Sequence, residues 1–324
     1  MNVLSVALCT YNGAKFVREQ LESIATQSHL PDELIICDDN SHDSTLDLVK
    51  RFAATAPFAV RVHANPRNLG STKNFEQAVS MCQGDVIVLS DQDDVWRQDK
   101  LLQIETFLAA APEMAAVFSD AEMVDAELRP LGYRLWQSLR LTRFQQNRIR
   151  NGDAIEVLLK CNVVTGATLA FRSQFRPQLL PIPDDWVHDG WIALMLASTA
   201  RLGMIAEPLL LYRQHASNQL GALQKGVADK LKDLPLRDRS RFGIYRSQCL
   251  QAKSRLLHLG MLSTAPVIRM LDDKVSHLEW RNGLPTVRPL RLPFIMHELM
   301  NCRYFRYSNG GQSAALDLIS RASK

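Results

Sequence analysis

The sequence predicts an α/β protein in which a mostly parallel sheet is flanked by helices and followed by a helical C-terminal extension. Three observations support this fold class. Strand-like and helix-like segments alternate four times before residue 94, the order expected of a doubly wound sheet with right-handed crossovers. All four strand-like segments stop in polar or acidic residues. Beyond about residue 220 the apolar spacing is helical, so we expect one domain over residues 1–220 and a second over 221–324.

The first half of the chain supplies four strand–helix units. Each predicted strand is a short apolar run, and each predicted helix carries apolar residues near helical spacing. Because the carboxyl ends of parallel strands meet at one edge of a sheet, we expect the polar residues after these strands to share that edge. The strands are predicted at residues 3–9, 34–37, 59–63 and 86–89, and the helices at 14–27, 46–52, 75–81 and 97–110.

The alternation is less regular after residue 110. A short strand is predicted at 115–119, and residues 128–150, which have little clear period, are interpreted as a loop with a short helix. Residues 163–171 have strand composition, and a break follows at 177–185. His188-Asp189-Gly190-Trp191 then opens an apolar helix over about 192–200, so we expect Asp189 at or near the helix N-terminus. A last strand is predicted at 208–213.

Composition is that of an ordinary globular protein. The 324 residues are 46% hydrophobic and 22% charged, which excludes disorder as the default. Six scattered cysteines without a Cys-x-x-Cys pair favour buried thiols in a reducing compartment over disulfides or zinc. The N-terminus lacks a basic leader, and no apolar run approaches the ~18 residues of a spanning helix. We therefore expect a cytoplasmic protein that is neither secreted nor transmembrane.

The net charge of +4 hides an asymmetry along the chain. Residues 1–224 carry 20 Lys/Arg against 26 Asp/Glu, whereas residues 225–324 carry 18 against 8. A basic segment of this kind suits an anionic membrane surface or nucleic acid, although a solvated helical face is the commoner explanation.

A cluster of carboxylates directly follows the fourth predicted strand. Asp91 and Asp93 are two residues apart, so both can aim at one point on an extended or turning backbone. Two hard oxygen ligands suit Mg²⁺ or Mn²⁺ shared with the phosphates of a substrate. The alternatives are a solvated turn or a helix cap, with Asp94 capping the helix that begins near Arg97.

Four segments together resemble one family. They are Thr10-Tyr11-Asn12-Gly13, Asp38-Asp39-Asn40-Ser41-His42-Asp43, Ser90-Asp91-Gln92-Asp93-Asp94 and His188-Asp189. In order and spacing they resemble the family 2 glycosyltransferases, whose GT-A fold is Rossmann-like, and the resemblance covers about residues 3–215. The form Asp-Gln-Asp-Asp-Val-Trp is similar to that of bacterial rhamnosyltransferases and related enzymes of O-antigen or exopolysaccharide assembly.

The resemblance implies a binding site for a nucleotide sugar. Asp39 would accept a hydrogen bond from the imide of uracil or thymine, because an ionised carboxylate selects a base that has an N–H there. An Asx turn or a helix cap is the alternative for Asp38 and Asp39, and capping is the alternative for the residues after the third strand. The residues assigned to the nucleotide sugar are Thr10, Tyr11, Asn12, Asp39, Asn68, Gly70, Asn74, Asp91 and Gln92.

A divalent cation, Mn²⁺ or Mg²⁺, is also implied. Asp93 matches the metal-binding Asp of the family's Asp-x-Asp motif, and Asp91 matches the first Asp, near the ribose and the metal. His215, just after a predicted strand, resembles a late histidine of the family that completes the metal shell or contacts the diphosphate. A structural histidine is the alternative for His215.

Asp189 resembles the family's general base. Inverting transfer needs a carboxylate opposite the leaving diphosphate, where it takes the proton of the acceptor hydroxyl. This chain has His188 where many members have Glu, which leaves the role of that neighbour open, and a helix N-cap is the alternative for Asp189. The residues assigned to the acceptor side are Trp191, Thr165 and Gly166, although burial in the core explains a tryptophan equally well.

The resulting hypothesis is a metal-dependent inverting glycosyltransferase. It would transfer a sugar such as rhamnose from a UDP- or dTDP-sugar to a glycan or lipid-linked saccharide. The alternatives are a sugar-1-phosphate nucleotidyltransferase, which lacks support because no Gly-rich basic phosphate loop follows the first strand, and a non-catalytic nucleotide-binding protein. We expect no nucleic-acid partner. We expect the basic tail to contact the inner face of the cell membrane peripherally, with packing on the first domain or on a second subunit as the alternatives.

Overall fold

The computed structural model describes residues 2–215 and 240–319, which form two compact units. The N-terminal unit contains residues 2–154 and 163–215, and the C-terminal unit contains residues 155–162 and 240–319. The boundary predicted at 220/221 falls outside the described residues. Residues 155–162 belong to the C-terminal unit, which the sequence pattern did not indicate.

One mixed sheet forms the centre of the N-terminal unit. Its strands run in the order β3-β2-β1-β4-β8-β6-β9-β5, and β7 pairs with β6. The first four strands coincide closely with the predicted ones, and β4 is buried along its whole length. The bounds are β1 (Leu4–Thr10), β2 (Glu33–Asp38), β3 (Ala59–Ala64), β4 (Val86–Ser90), β5 (Val95–Trp96), β6 (Met114–Val124), β7 (Pro130–Arg134), β8 (Leu169–Arg172) and β9 (Arg201–Arg213).

Strand directions determine which loops meet. Strands β1 to β4 are parallel, as predicted, but β8 is antiparallel to both β4 and β6. Two reversals restore the original direction in β6, and β9 is parallel to β6. The start of β8 and the end of β9 therefore lie at the same edge as the ends of β1 to β4.

Helices flank this sheet. The bounds are α1 (Val17–Ala25), α2 (Thr45–Ala53), α3 (Ser71–Met81), α4 (Lys100–Ala110), α5 (Leu135–Ser138), α6 (Arg143–Arg150), α8 (Arg176–Leu179) and α9 (His188–Thr199). Helix α7 (Ala154–Leu158) belongs, apart from Ala154, to the C-terminal unit. Helix α4 starts at Lys100 and not at residue 97, because β5 pairs with β9 and Arg97 N–H donates to the Leu209 carbonyl. The pairing thus keeps the chain extended past the predicted helix start.

Three stretches of the N-terminal unit differ from the sequence prediction. Strand β7 lies in the region interpreted as loop and short helix, because its pairing with β6 is decided by a distant segment and not by local period. Of the predicted strand 163–171, residues Gly166–Thr168 form a 3₁₀ turn, and β8 starts only after it. Strands β6 and β9 are also longer than predicted, since they pair with each other along most of their length.

The C-terminal unit is helical, as predicted. Its helices are α10 (Ser240–Leu259), α11 (Ala265–Asn282), α12 (Leu292–Met300), α13 (Arg303–Tyr307) and α14 (Gly311–Ile319). Its interior includes a buried ion pair between Arg281 and Asp317, to which the Tyr304 hydroxyl also donates. Of the helices that the structure describes in either unit, none combines the length and the apolar character that crossing a membrane requires.

Candidate active site

The acidic loop after β4 meets the residue that follows β9. Asp93 Oδ2 lies 2.8 Å from His215 Nε2. The His215 ring packs on Phe16, with ring centroids 4.6 Å apart. The two side chains meet because β4 and β9 end at the same edge of the sheet. The structure therefore brings together the two side chains that the sequence assigned to a metal.

Arg213, which no sequence pattern marked, holds this loop in place by hydrogen bonds. Its side chain is buried, its Nε donates to the Asp93 carbonyl at 2.7 Å, and its backbone N–H donates to Asp94 Oδ1 at 3.0 Å. Glu19 pairs with the same guanidinium. Asp94 is buried and is not the helix cap considered above, because α4 starts after Asp99. An arginine at a strand end carries no local signal for this role.

Asp91 lies where the charges of the site converge. Burial, together with the negative charges of Asp93 and Asp189, raises the pKa of Asp91 to about 7. Burial, Asp91 and Asp94 likewise raise the pKa of the Tyr212 phenol well above its usual value. The carboxylates of the loop after β4 and the carboxylate of Asp189 therefore lie close enough to affect one another. A cation placed there would favour their ionised forms.

Asp93 and His215 are the side chains that would hold a divalent cation. No group of three or more His, Cys, Asp or Glu residues suited to a metal occurs within residues 2–215 and 240–319. Two protein ligands fit Mg²⁺ or Mn²⁺ that is shared with a diphosphate, because such cations keep several positions for phosphate oxygens and water. A site that bound the cation through protein ligands alone would need more than these two side chains.

Asp189 lies in the first turn of α9, as the sequence predicted. Its Oδ2 accepts a hydrogen bond from Gly166 N–H at 3.1 Å. The turn that carries Gly166 is closed by Thr168, whose N–H and hydroxyl both donate to the Thr165 carbonyl. The helix N-terminus and the Gly166 amide both stabilise a negative charge on Asp189.

His188 is a buried, neutral neighbour of this carboxylate. Its ring stacks on Phe75 with centroids 3.9 Å apart, and burial lowers its pKa to about 3. Neither ring nitrogen has a hydrogen-bond partner among the residues described. A Cβ at position 166 would lie 2.6 Å from His188 Nε2, so the approach of the ring requires Gly166. His188 therefore acts here as packing beside Asp189.

Trp191 does not lie on the acceptor side, contrary to the sequence-based assignment. Its side chain is 0% exposed, and its indole N–H donates to the Leu179 carbonyl at 2.7 Å. A ring packed inside the unit cannot stack on a sugar. Thr165 is partly exposed and Gly166 is buried, so of these three assigned residues Thr165 offers the accessible side chain.

Asp39 organises the loop between β3 and α3. Its Oδ1 accepts from Leu69 N–H and Asn65 Nδ2, and its Oδ2 accepts from Gly70 N–H, all within 2.9 Å. These bonds use three of the roughly four lone-pair positions of a carboxylate. Asp39 itself is only 2% exposed, so these bonds lie inside the protein. Asn68, which is exposed, accepts from Gly70 N–H through its Oδ1.

Thr10 and Asn74 point into the protein, and this corrects their assignment to the nucleotide pocket. The Thr10 hydroxyl is 1% exposed and donates to Asp38 Oδ2. The Asn74 amide is 2% exposed, donates to the Cys37 carbonyl and accepts from Asn65. The Thr10 bond joins the ends of β1 and β2, and the Asn74 bond joins β2 to α3.

Gln92 joins the loops that follow β1 and β4. Its side-chain amide accepts from Tyr11 N–H at 2.9 Å and donates to the Tyr11 carbonyl at 3.0 Å. It packs over Gly13, where a Cβ would lie only 2.0 Å from Gln92 Oε1. The Tyr11 ring remains 44% exposed, and Asn12 Oδ1 accepts from His42 N–H in the neighbouring loop. Gln92 therefore holds the proposed nucleotide-binding loop in place.

Comparison with known proteins gives a family match for the N-terminal part of the chain. The model for glycosyl transferase family 2 matches residues 5–161. The dTDP-rhamnosyl transferase RfbG of Shigella flexneri is 27% identical over 226 residues, covering 66% of this chain and 74% of that protein. An uncharacterized protein of Mycobacterium tuberculosis is 26% identical over 224 residues, covering 66% of this chain. The match spans only 59% of the length of that relative.

Solved structures show the same fold. S. aureus TarS 1–349, solved with UDP-GlcNAc, superposes with a TM-score of 0.57 and 15% identity, covering 97% of this chain and 88% of that one. The mannosyltransferase PcManGT from Pyrobaculum calidifontis, solved with GDP-Man and Mn²⁺, gives a TM-score of 0.51 at 20% identity. That superposition covers 97% of this chain and 77% of the mannosyltransferase.

Proposed function

We propose that this chain, a family 2 glycosyltransferase of the GT-A fold, transfers a sugar with inversion from a pyrimidine nucleotide-diphosphate donor to a saccharide or lipid-linked acceptor. The observation that carries the proposal is the convergence of Asp93, His215, Asp91 and Asp189 at one sheet edge. The likeness to a dTDP-rhamnosyl transferase makes dTDP-rhamnose the first donor to test. We place the reaction in the cytoplasm, in the assembly of a cell-surface polysaccharide such as an O-antigen.

Asp189 is the proposed general base. The acceptor hydroxyl oxygen attacks C1 of the donor sugar as the bond from C1 to the diphosphate oxygen breaks. The hydroxyl proton passes to Asp189, and the electron pair of the broken bond leaves with the nucleoside diphosphate. The hydrogen bond from Gly166 N–H to Asp189 Oδ2 helps to orient this carboxylate. Attack from the face opposite the diphosphate inverts the anomeric centre.

Asp93 and His215 are proposed to hold the divalent cation, with Asp91 beside them. When bound, the cation neutralises the charge that develops on the leaving diphosphate. The Mn²⁺ complex of the mannosyltransferase with the same fold supports this assignment. Two further residues order the site: Gln92 orders Tyr11, and Arg213 at the end of β9 orders Asp93.

Tyr11 and Asp39 are proposed to receive the nucleotide base. The Tyr11 ring is exposed at the sheet edge and can stack on a pyrimidine. Asp39 is buried, with 2% exposure, and is the proposed acceptor for the imide N–H of uracil or thymine. Asn12, Asn68 and Gly70 border the same loops and complete the proposed pocket.

A donor screen tests the proposed function. The protein is incubated with UDP- and dTDP-sugars and Mn²⁺, with and without saccharide acceptors, and free nucleoside diphosphate is measured. We expect release that depends on the acceptor and on the cation, with NMR showing inverted anomeric configuration in the product. Formation of pyrophosphate or of sugar 1-phosphate would indicate a nucleotidyltransferase instead. Binding without turnover of any donor would indicate a non-catalytic protein.

We also propose that α12 and its neighbours dock on an anionic membrane. Leu292, Met296 and Met300 are spaced by four residues on one helical face and are 51%, 47% and 80% exposed. The neighbouring turn and helix α13 add exposed Leu290 and Phe305. An apolar stripe with arginines nearby is the pattern of a helix lying in a membrane interface.

The charge of this unit supports an anionic partner. Within residues 240–319 each of the five acidic residues pairs with a basic residue: Asp272 with Lys253, Asp273 and Glu298 with Arg303, Glu279 with Arg246, and Asp317 with Arg281. The same stretch has 11 Lys/Arg, and Arg288 and Arg306 are exposed. Excess exposed cations beside an apolar face suit acidic headgroups.

A further inference from the structure

Lys100 is a buried lysine at the start of α4 that contacts a loop of the proposed active site. Its side chain is 0% exposed, its Nζ donates to the Ala167 carbonyl at 2.7 Å, and it lies 3.9 Å from the centre of the Trp96 ring. Burying an ammonium group is costly unless acceptors and opposite charges surround it. No local pattern marks Lys100 as buried, because lysine is common in the exposed first turn of a helix.

The opposite charges come from the acidic loop. Asp91 and Asp94 both favour the charged form of Lys100, while burial acts in the other direction and lowers its pKa to about 7. Asp94 Oδ2 is itself buried and lacks a hydrogen-bond partner among the described residues. Lys100 therefore lies between the acidic loop and the turn that contains Ala167.

That turn also holds the proposed base. Ala167 follows Gly166 in the turn Gly166–Thr168, and Gly166 N–H donates to Asp189 Oδ2. This turn is thus hydrogen-bonded to Lys100 through Ala167 and to Asp189 through Gly166. We propose that Lys100 is a positioning residue that fixes this turn against the acidic loop and so keeps Asp189 oriented toward the acceptor. The consequence for turnover rests on the proposed role of Asp189 in transfer.

The chain offers a control lysine that makes the same kind of contact. Lys274, in the C-terminal unit, is half-buried, and its Nζ donates to the Leu159 carbonyl at 2.5 Å. The titratable groups that act on Lys274 are the thiols of Cys249 and Cys161, whereas two carboxylates act on Lys100. Replacing Lys274 removes a similar lysine–carbonyl contact without touching the proposed site.

Kinetics of two substitutions test the proposal in the full-length protein. In Lys100→Met the hydrogen bond to Ala167 is lost, and we expect kcat to fall about 10- to 100-fold with the donor KM within about 2-fold. Lys100→Gln keeps a donor for the Ala167 carbonyl and is expected to retain several-fold more activity than Lys100→Met. Lys274→Met should leave kcat unchanged. A kcat for Lys100→Met within about 2-fold of wild type, or equal loss in the Gln and Met variants, would overturn the proposal.

Hydrogen exchange without substrate separates this inference from the proposed function. We expect faster exchange of the backbone amides of residues 163–171 in Lys100→Met, less change in Lys100→Gln, and none in Lys274→Met. The strand β2 serves as an internal reference. If the wild-type protein transfers no sugar, the proposed function fails, but exchange still tests the positioning role. Unchanged exchange in both Lys100 variants would refute that role, and Lys100→Gln alone suffices if Lys100→Met does not fold.

Discussion

At the scale of single residues, Asp93 is the most direct test of the metal site. Asp93→Ala removes a hard oxygen ligand and the contact with His215, so donor binding should fall by about 10-fold or more while the fold is kept. Calorimetry of UDP and dTDP binding with Mn²⁺ measures this. Asp47→Ala, at an exposed position of α2, is the control. Unchanged metal-dependent binding in Asp93→Ala would remove the metal role of this residue.

Asp189 can be separated from binding by an isosteric change. Asp189→Asn keeps an acceptor for Gly166 N–H but cannot take a proton, so transfer should fall by about 10²- to 10⁴-fold. Nucleotide affinity should stay within about 2-fold, because the proposed base contacts the acceptor and not the nucleotide. Single-turnover rates and calorimetry are the two measurements. Transfer within a few-fold of wild type would exclude Asp189 as the base.

His188 makes the stability of the fold depend on pH. Its folded pKa of about 3 lies below the value of about 6.5 in an unfolded chain, so only the unfolded state gains a proton between these values. The contribution of His188 to the free energy of unfolding is therefore fully present above pH 6.5. It falls by about 1.4 kcal/mol for each pH unit below that value.

A non-titrating variant isolates this contribution. Between pH 7 and pH 5 the unfolding free energy of His188→Gln should fall by about 2 kcal/mol less than that of wild type, as measured by urea titration. The exposed His42 provides the control, because His42→Gln should follow the wild-type pH curve. Parallel curves for wild type and His188→Gln would show that His188 is not buried in its neutral form.

At the scale of elements, the loops after β1 and β4 are joined by the contacts of Gln92 with Tyr11. Gly13→Ala places a Cβ 2.0 Å from Gln92 Oε1, so the amide must move and both bonds to the Tyr11 backbone are lost. Because Gln92 is a flexible side chain, the fold should survive. We expect nucleotide affinity to fall about 3- to 10-fold as the Tyr11 loop loses its order.

A second glycine serves as the matched control. A Cβ at Gly243, in α10, meets no atom within 4 Å among the described residues, so Gly243→Ala should leave nucleotide affinity unchanged. Its helix should become more stable by up to about 1 kcal/mol, since alanine is the better helix former. Equal affinity in Gly13→Ala and wild type would show that Gln92 does not order the binding loop.

At the scale of the whole molecule, the excess of basic residues lies in residues 225–324. Docking on an anionic membrane should therefore depend on lipid charge and on salt. We expect the protein to float with vesicles that contain anionic lipid, not with neutral vesicles, and to be released by high salt. Met300→Glu should weaken flotation, because Met300 is 80% exposed in the apolar stripe. Phe144→Glu, at an exposed residue of the N-terminal unit, should not. Salt-independent dimerisation that Met300→Glu abolishes would instead assign this face to a second copy of the chain.

Local patterns of amino acids predict the strands, the first helices and the order of several site residues. The apolar runs before residues 10, 38 and 90 specify buried strands, and their alternation with helices specifies parallel pairing. Because such strands end at one edge, the order of Asp39, Asp93 and the late His215 could be interpreted as one site. The position of Asp189 in the first turn of a helix was equally readable from its neighbours.

Which of these side chains are accessible to a ligand depends on contacts that form only in the folded protein. Thr10, Asn74 and Trp191 have residue types that suit a binding site, but partners distant in sequence or packed from other elements turn them inward, as the Leu179 carbonyl does for Trp191. Arg213 and Lys100 look like ordinary surface cations in the sequence, yet both are buried beside the acidic loop. The reason is physical: burial and hydrogen bonding are set by segments that meet only after folding, so no local pattern encodes them.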